Sequence, residues 1–191
     1  MSEQPDLNSV DWSKIPAPLD DGGARHLIGA RLPDIALTST AGTAVSLARL
    51  PGRTVLFAYP LTGRPGVSLP EGWDAIPGAR GCTPQSCAFR DLHGELRSAG
   101  AREIYGISTQ STAYQQEAAK RLHLPFPLLS DADLEFGRAL DLPMMSVADQ
   151  LLFKRLALIA DAGAVTTVFY PVFPPDRNAG DVLAWLKGNP R

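Results

Sequence analysis

Residues Thr54 to Tyr59 (TVLFAY) form an unbroken apolar run of strand length that stops at Pro60, the pattern of a central strand covered on both faces. Upstream, IALTS and AVSL flank turn residues around Gly42 and predict a short hairpin before Gly52. Downstream the period changes to that of a helix. Phe89, Leu92 and Leu96 fall on one face of a segment from Thr83 to about Ala99, while Arg90, Asp91, His93, Glu95 and Arg97 take the other. Thr83 suits its cap, Pro84 its first position and Gly100 its end.

A strand at Glu103 to Ser108, a helix at about Thr112 to Leu122 and a short strand at Pro127 to Leu129 follow. Ser130 with Asp133 reads as a capping box for a helix running to about Leu140, with Asp131 and Asp133 as helix-capping groups. Residues 141 to 153 read as a long connection. Arg155 to Ala160 and Ala164 to Tyr170 flank Asp161-Ala162-Gly163, the strongest hairpin signal in the chain. Asn178 is expected to cap a last helix with Val182, Leu183, Trp185 and Leu186 on its apolar face. A parallel βαβ half, an antiparallel hairpin and a closing helix give an α/β fold, a thioredoxin-like three-layer α/β/α sandwich with a mixed central sheet. Right-handed crossovers put helices on both of its faces.

With 191 residues the chain suits one domain, and residues 1 to about 25, proline-containing and without periodicity, are expected to form a poorly ordered or loosely packed arm on a domain spanning 26–191. The charged residues balance closely, 18 basic against 20 acidic, which argues against nucleic acid as a partner. No apolar run approaches the ~20 residues of a membrane-spanning helix. The opening stretch is polar and acidic, without a basic segment followed by an apolar core, so the expected location is cytoplasmic. The sequence has no Gly-rich phosphate loop, no GxSxG elbow and no paired-histidine metal spacing, and its three histidines are far apart. Neither a metal nor an organic cofactor is expected.

The two cysteines, Cys82 and Cys87, remain. A reducing compartment disfavours a permanent bridge but permits transient redox chemistry. Cys82 falls at the edge of the expected helix, where unpaired N–H groups and the positive dipole end favour a thiolate. A free thiol is only ~3% ionised at pH 7, and a helix end contributes ~1–2 kcal/mol, so a nucleophilic cysteine also needs a cation. Arg80 in the adjoining loop, or a more distant arginine, can supply it. The competing reading makes both cysteines small buried hydrophobes.

The surroundings decide between these readings. GCTPQSCAFRD after a strand ending in Tyr-Pro, then GIST, FPLLSD and KRLALIAD, resemble the peroxiredoxins of the PrxQ type, also called bacterioferritin comigratory protein. The resemblance runs from about Pro33 to Leu186. By position it makes Cys82 the peroxidatic cysteine, Cys87 the resolving cysteine in the same helix, and Arg155 the arginine that holds thiolate and peroxide. It implies a thiol peroxidase acting on hydrogen peroxide and organic hydroperoxides, a Cys82–Cys87 disulfide recycled by thioredoxin or a similar dithiol protein, and a monomer or weak homodimer. Two rivals are a thiol-disulfide oxidoreductase or redox sensor without peroxide turnover, and a non-catalytic thioredoxin-like interaction module. The C-x4-C spacing argues against the first, and retention of both cysteines with Arg155 against the second.

One departure stands out. The family pattern Pro-x3-Thr-x2-Cys is split here by an insertion of about fifteen residues, roughly 63–80, and Ala79 occupies the position three before Cys82. Thr62, beside the intact Tyr59-Pro60, is then the nearest hydroxyl able to fold back onto the thiolate. The proline, glycine and Trp73 content of the insertion fits an ordered cover over the site or a plain surface excursion. FYPVFPP, residues 169–175, fits either an apolar wall for organic peroxides or a packed rigid loop.

Overall fold

The computed structural model describes residues 10–190. The elements in chain order are β1 (Ala36–Ser39), β2 (Ala44–Ser46), β3 (Arg53–Ala58), α1 (Cys82–Asp91), α2 (His93–Ser98), β4 (Glu103–Ser108), α3 (Thr112–Arg121), β5 (Leu128–Ser130), α4 (Glu135–Ala139), β6 (Met144–Val147), β7 (Gln150–Phe153), β8 (Leu156–Asp161), β9 (Ala164–Phe169) and α5 (Asn178–Gly188). Seven strands make one mixed sheet in the order β2-β1-β5-β4-β3-β8-β9. β3, β4 and β5 are parallel, while β8 runs antiparallel to β3 and β9 to β8. This is the thioredoxin-like sandwich the element order implies.

Strand periodicity splits the core in two. Val55, Phe57 and Tyr59 face α1, α2 and α5 through Phe89, Leu96, Val182 and Leu186. Leu56 and Ala58 face the opposite layer, with Leu27, Phe136, Leu140 and Phe153. A strand with apolar residues on both sides of the pleat has no solvent face, which explains the unbroken run in the sequence. The hairpin between β8 and β9 turns through Ala162 and Gly163 at positive φ. A Cβ on Gly163 would lie 2.6 Å from the Ala48 carbonyl oxygen, so only glycine fits there.

Local expectations needed four corrections. The helix expected over 83–99 is two helices, divided at Leu92, whose ψ of 7° leaves the helical region. It begins at Cys82; Gly81, at φ 108°, precedes it and Thr83 forms no cap. The Ser130–Asp133 capping box does not form. Ser130 donates to the Gln110 carbonyl, and Asp131 accepts from the Phe136 and Gly137 N–H groups at 3.0 and 2.8 Å. Burial pushes the Asp131 carboxyl up, against the pull of those N–H donors. The connection over 141–153 contains the β6–β7 hairpin, turned by Ala148 and Asp149 at positive φ. Asn178 does not cap α5. It is buried at 1% exposure and faces α1 instead.

Of the N-terminal residues, 1–9 lie outside the described part. Residues 10–25 lie against the domain through discrete contacts. Trp12 donates to the Asp176 carboxylate and its ring meets Phe173 edge-on. Asp21 accepts from Lys154 and from the Tyr170 hydroxyl, and Ala24 is buried.

Candidate active site

The parallel strands end at one edge of the sheet, and there β3 delivers Tyr59, Pro60 and Leu61 beside the N-terminus of α1. Gly81 turns the chain into that helix because nothing larger fits. A Cβ there would run into Pro175 and come within 2.9 Å of the Trp12 ring. Cys82, Gln85, Ser86 and Phe89 share the buried face of α1, the i, i+3, i+4, i+7 stripe of an amphipathic helix. The Cys82 sulfur accepts from the Leu61 N–H at 3.4 Å and lies 3.7 Å from the Ala79 carbonyl oxygen.

Arg155 arrives from the other side. It immediately precedes β8, whose Leu156 pairs with Ala58, so its side chain emerges next to the end of β3. Its Nη2 lies 3.2 Å from the Cys82 sulfur and also donates to the carbonyls of Gly78, Ala79 and Arg80. Its Nη1 donates to Gln85 Oε1 at 2.5 Å, and its Nε is buried without a partner among the described residues. Arg155 is 3% exposed, and among the described residues no carboxylate forms an ion pair with it. Carbonyl and amide oxygens solvate a guanidinium but do not neutralise it, and a buried charge is costly unless a counter-charge stands near. The guanidinium directly faces the Cys82 sulfur.

The sequence of residues 27–183 matches the family described as Redoxin. The chain belongs to the redoxin family. A curated relative, the chloroplastic peroxiredoxin Q of Oryza sativa subsp. japonica, is 31% identical over 160 residues, covering 83% of this chain and 66% of the relative. The peroxiredoxin Q of Triticum aestivum is 30% identical, covering 81% and 64%. This chain thus spans just under two thirds of the length of these relatives. Among solved structures, the peroxidoxin BcpB of Mycobacterium tuberculosis superposes with a TM-score of 0.69 at 28% identity, covering 86% of this chain and 98% of that one. The peroxiredoxin Q of Xanthomonas campestris gives 0.64 at 27% identity, covering 83% and 95%. Within the redoxins this is a peroxiredoxin of the PrxQ, or bacterioferritin comigratory protein, type.

In this peroxiredoxin Cys82 and Arg155 meet, and Cys87 lies on the same helix, half-buried and five residues on. Both thiols are free. Burial pushes the Cys87 thiol up, opposed by the nearby Arg90 and reinforced by Asp91. Thr62 does not reach the sulfur. It is wholly buried, and its hydroxyl and N–H both point at Gln110 Oε1, each at 3.0 Å. The hydrogen bond expected from Thr62 to Cys82 is therefore replaced by one from the Leu61 N–H. Arg80, the nearby cation considered from sequence, pairs with Asp74 at 2.8 Å and contributes its carbonyl to Arg155.

The insertion is ordered against the domain. Trp73 packs into a small core with Ala79, Val147 and Leu152, so the unforeseen β6–β7 hairpin is its seat. A cavity of about 300 Å³ opens over Cys82, walled by Trp12, Leu61, Arg64, Leu69 and Arg80. A larger one, about 590 Å³, has Arg155 in its wall together with Tyr170 and Pro171 of the FYPVFPP segment. In the rest of that segment Val172 and Pro175 are buried and Phe169, Phe173 and Pro174 partly so. Sequence reasoning missed Gln85 and Asn178 as neighbours of the site. The available signal for Gln85 was a polar residue on the otherwise buried stripe of α1.

Proposed function

We propose that this chain is a thiol-dependent peroxidase that reduces hydrogen peroxide and organic hydroperoxides. The observation that carries the reading is the Arg155 guanidinium, buried with no carboxylate paired to it among the described residues and 3.2 Å from the Cys82 sulfur. Such a cation favours the thiolate and, next to it, the charge that develops on peroxide oxygen in the transition state. The thiolate attacks the terminal oxygen of ROOH. The S–O bond forms as the O–O bond breaks, and the leaving oxygen takes a proton and departs as water or alcohol. Leu61 N–H, directed at the sulfur, supplies the donor that a threonine hydroxyl would give.

Cys82 is left as a sulfenic acid. Cys87, deprotonated, attacks that sulfur; the S–S bond forms, the S–O bond breaks and water leaves. A dithiol protein such as thioredoxin then supplies two electrons and two protons to restore both thiols. This makes the enzyme an atypical two-cysteine peroxiredoxin, active as a monomer or weak homodimer. Two free thiols fit work in a reducing, cytoplasmic setting. The structural work on the Xanthomonas campestris bacterioferritin comigratory protein, which concerns alkyl peroxide reduction, supports organic hydroperoxides as substrates here.

The test is peroxide consumption with thioredoxin, thioredoxin reductase and NADPH, followed as NADPH loss. Cys82→Ser should abolish turnover, whereas Cys87→Ser should retain one round of sulfenic acid formation and lose recycling. A Cys87→Ser protein whose Cys82 no longer reacts with peroxide would overturn the assignment of roles.

A further inference from the structure

Behind the sulfur and Arg155 lies a chain of buried amides that the reaction just described does not use. Gln85, fully buried, donates from Nε2 to Asn178 Oδ1 at 2.9 Å and accepts at Oε1 from Arg155 Nη1. The order of donors and acceptors along it is forced. A guanidinium has only donors, so Gln85 must turn its oxygen towards Arg155. Its NH2 then faces Asn178, which must answer with Oδ1, and the Asn178 NH2 is left buried without an acceptor among the described residues. An asparagine at the start of a helix ordinarily caps it, yet this one makes no cap bond and keeps an unsatisfied donor. Its oxygen is committed to Gln85.

We infer that Asn178 is a positioning residue for Cys82: acting through Gln85, it holds Arg155 against the sulfur and holds the first turns of α1 closed. The inference rests on the peroxidase reading. Without the Asn178 oxygen, the Gln85 NH2 is buried with no acceptor, and the amide is driven out of the orientation that serves Arg155. Arg155 then loses the contact that fixes Nη1, and with it the aim of Nη2 at the sulfur. Gln85 also lies between Cys82 and Cys87, in the segment that must open for the two sulfurs to meet. Opening removes Gln85 from both Arg155 and Asn178, so the same oxygen that favours the first step resists the second. Asn178 therefore acts with opposite sign on two consecutive steps, which a residue that merely packs would not do.

The experiment uses the full chain. Sulfenic acid formation with hydrogen peroxide is timed in a Cys87→Ser background by dimedone trapping, and disulfide closure is timed by mass in the protein with both cysteines. Asn178→Leu should slow sulfenic acid formation at least ~tenfold, the scale of a lost hydrogen bond in a charged buried network, and should quicken closure severalfold. Asn178→Asp, which keeps the acceptor, should restore the first rate. In a Gln85→Leu background Asn178→Leu should cost nothing more, because its partner is gone. Where Asn178→Leu does not fold, Asn178→Ser reads the same two rates. Both steps unchanged, or both slowed together, would overturn the inference. Sulfenic acid formation that is intact in the unsubstituted protein but indifferent to Asn178 overturns it alone; an unsubstituted Cys82 inert to peroxide overturns the peroxidase reading as well.

Discussion

Oxidation to the Cys82–Cys87 disulfide should unwind the first turns of α1, and helix geometry says how far. Both residues lie within Cys82–Asp91. Five residues of regular helix rise about 7.5 Å and turn through about 140° on a radius of about 2.3 Å, which sets the two Cα atoms roughly 8.7 Å apart. A disulfide tolerates at most about 7 Å, so the gap must close by roughly 2 Å while side chains on different faces turn towards each other. Opening breaks the Gln85 N–H bond to the Gly81 carbonyl and both side-chain bonds of Gln85. With about 1 kcal/mol for each of the two neutral bonds and ~1.5–3 for the one to charged Arg155, the closed helix is favoured by about 3.5–5 kcal/mol, leaving the open form at about 0.02–0.3%. The assay is amide hydrogen exchange over residues 83–91 in reduced and oxidised protein. Protection of about 10³ in the reduced state should vanish for these amides on oxidation. Equal protection in both states, with a Cys82–Cys87 bridge confirmed by mass, would refute the reasoning.

Three further outcomes are expected. Arg155→Lys should lower the peroxide rate constant at least ~tenfold, a loss of about 1.4 kcal/mol, because one ammonium cannot serve Gln85, three carbonyls and the sulfur together; an unchanged rate in stopped-flow measurements would count against Arg155. Thr62→Val should leave that rate within about twofold, since the hydroxyl is directed at Gln110 and the Thr62 N–H keeps its own bond there; a tenfold fall would return Thr62 to the site. The Asp21 carboxyl is held well below its ordinary range by hydrogen bonds from Lys154 first, then Tyr170 and the Gly23 N–H. A depressed folded pKa gives stability that is present above ~3.9 and lost as pH falls below it, so the gap in melting temperature between the protein and Asp21→Asn should hold at neutral pH and narrow on acidification. A gap that widens in acid would refute this sign.

How much of this was legible in the sequence depended on how local each determinant was. A continuous apolar run identified β3 because burial on both faces removes alternation altogether. Asp161-Ala162-Gly163 marked its hairpin through a glycine that the turn requires. The β6–β7 hairpin escaped because its turn residues, Ala148 and Asp149, adopt positive φ without any glycine. The break at Leu92 escaped for a different reason: Phe89, Leu92 and Leu96 continue the helical period across it. The helix-edge position of Cys82 was legible from its local sequence, whereas the roles given to it and to Arg155 were decided by family resemblance. Thr62 and Asn178 were misread because their partners, Gln110 and Gln85, are 48 and 93 positions away. Residue type offers a hydroxyl or an amide, and only the tertiary neighbour decides where it points.

On the proposed reaction, the buried Arg155 also gives a physical reason for the order of the two chemical steps. While Cys82 is a thiolate, its charge and the guanidinium attract across 3.2 Å, and that attraction adds to the Gln85 bonds in keeping the start of α1 against the end of β3. Closed helix and reactive thiolate therefore favour each other. Transfer of one peroxide oxygen leaves a neutral sulfenic acid, and the ionic part of that attachment disappears while the amide bonds remain. What then holds the helix shut is the Gln85 contact with Arg155 and Asn178, together with burial of the half-exposed Cys87 on the far side of the helix. Opening becomes easier only after the sulfur has been oxidised, which keeps Cys87 away from Cys82 until there is an S–O bond for it to break.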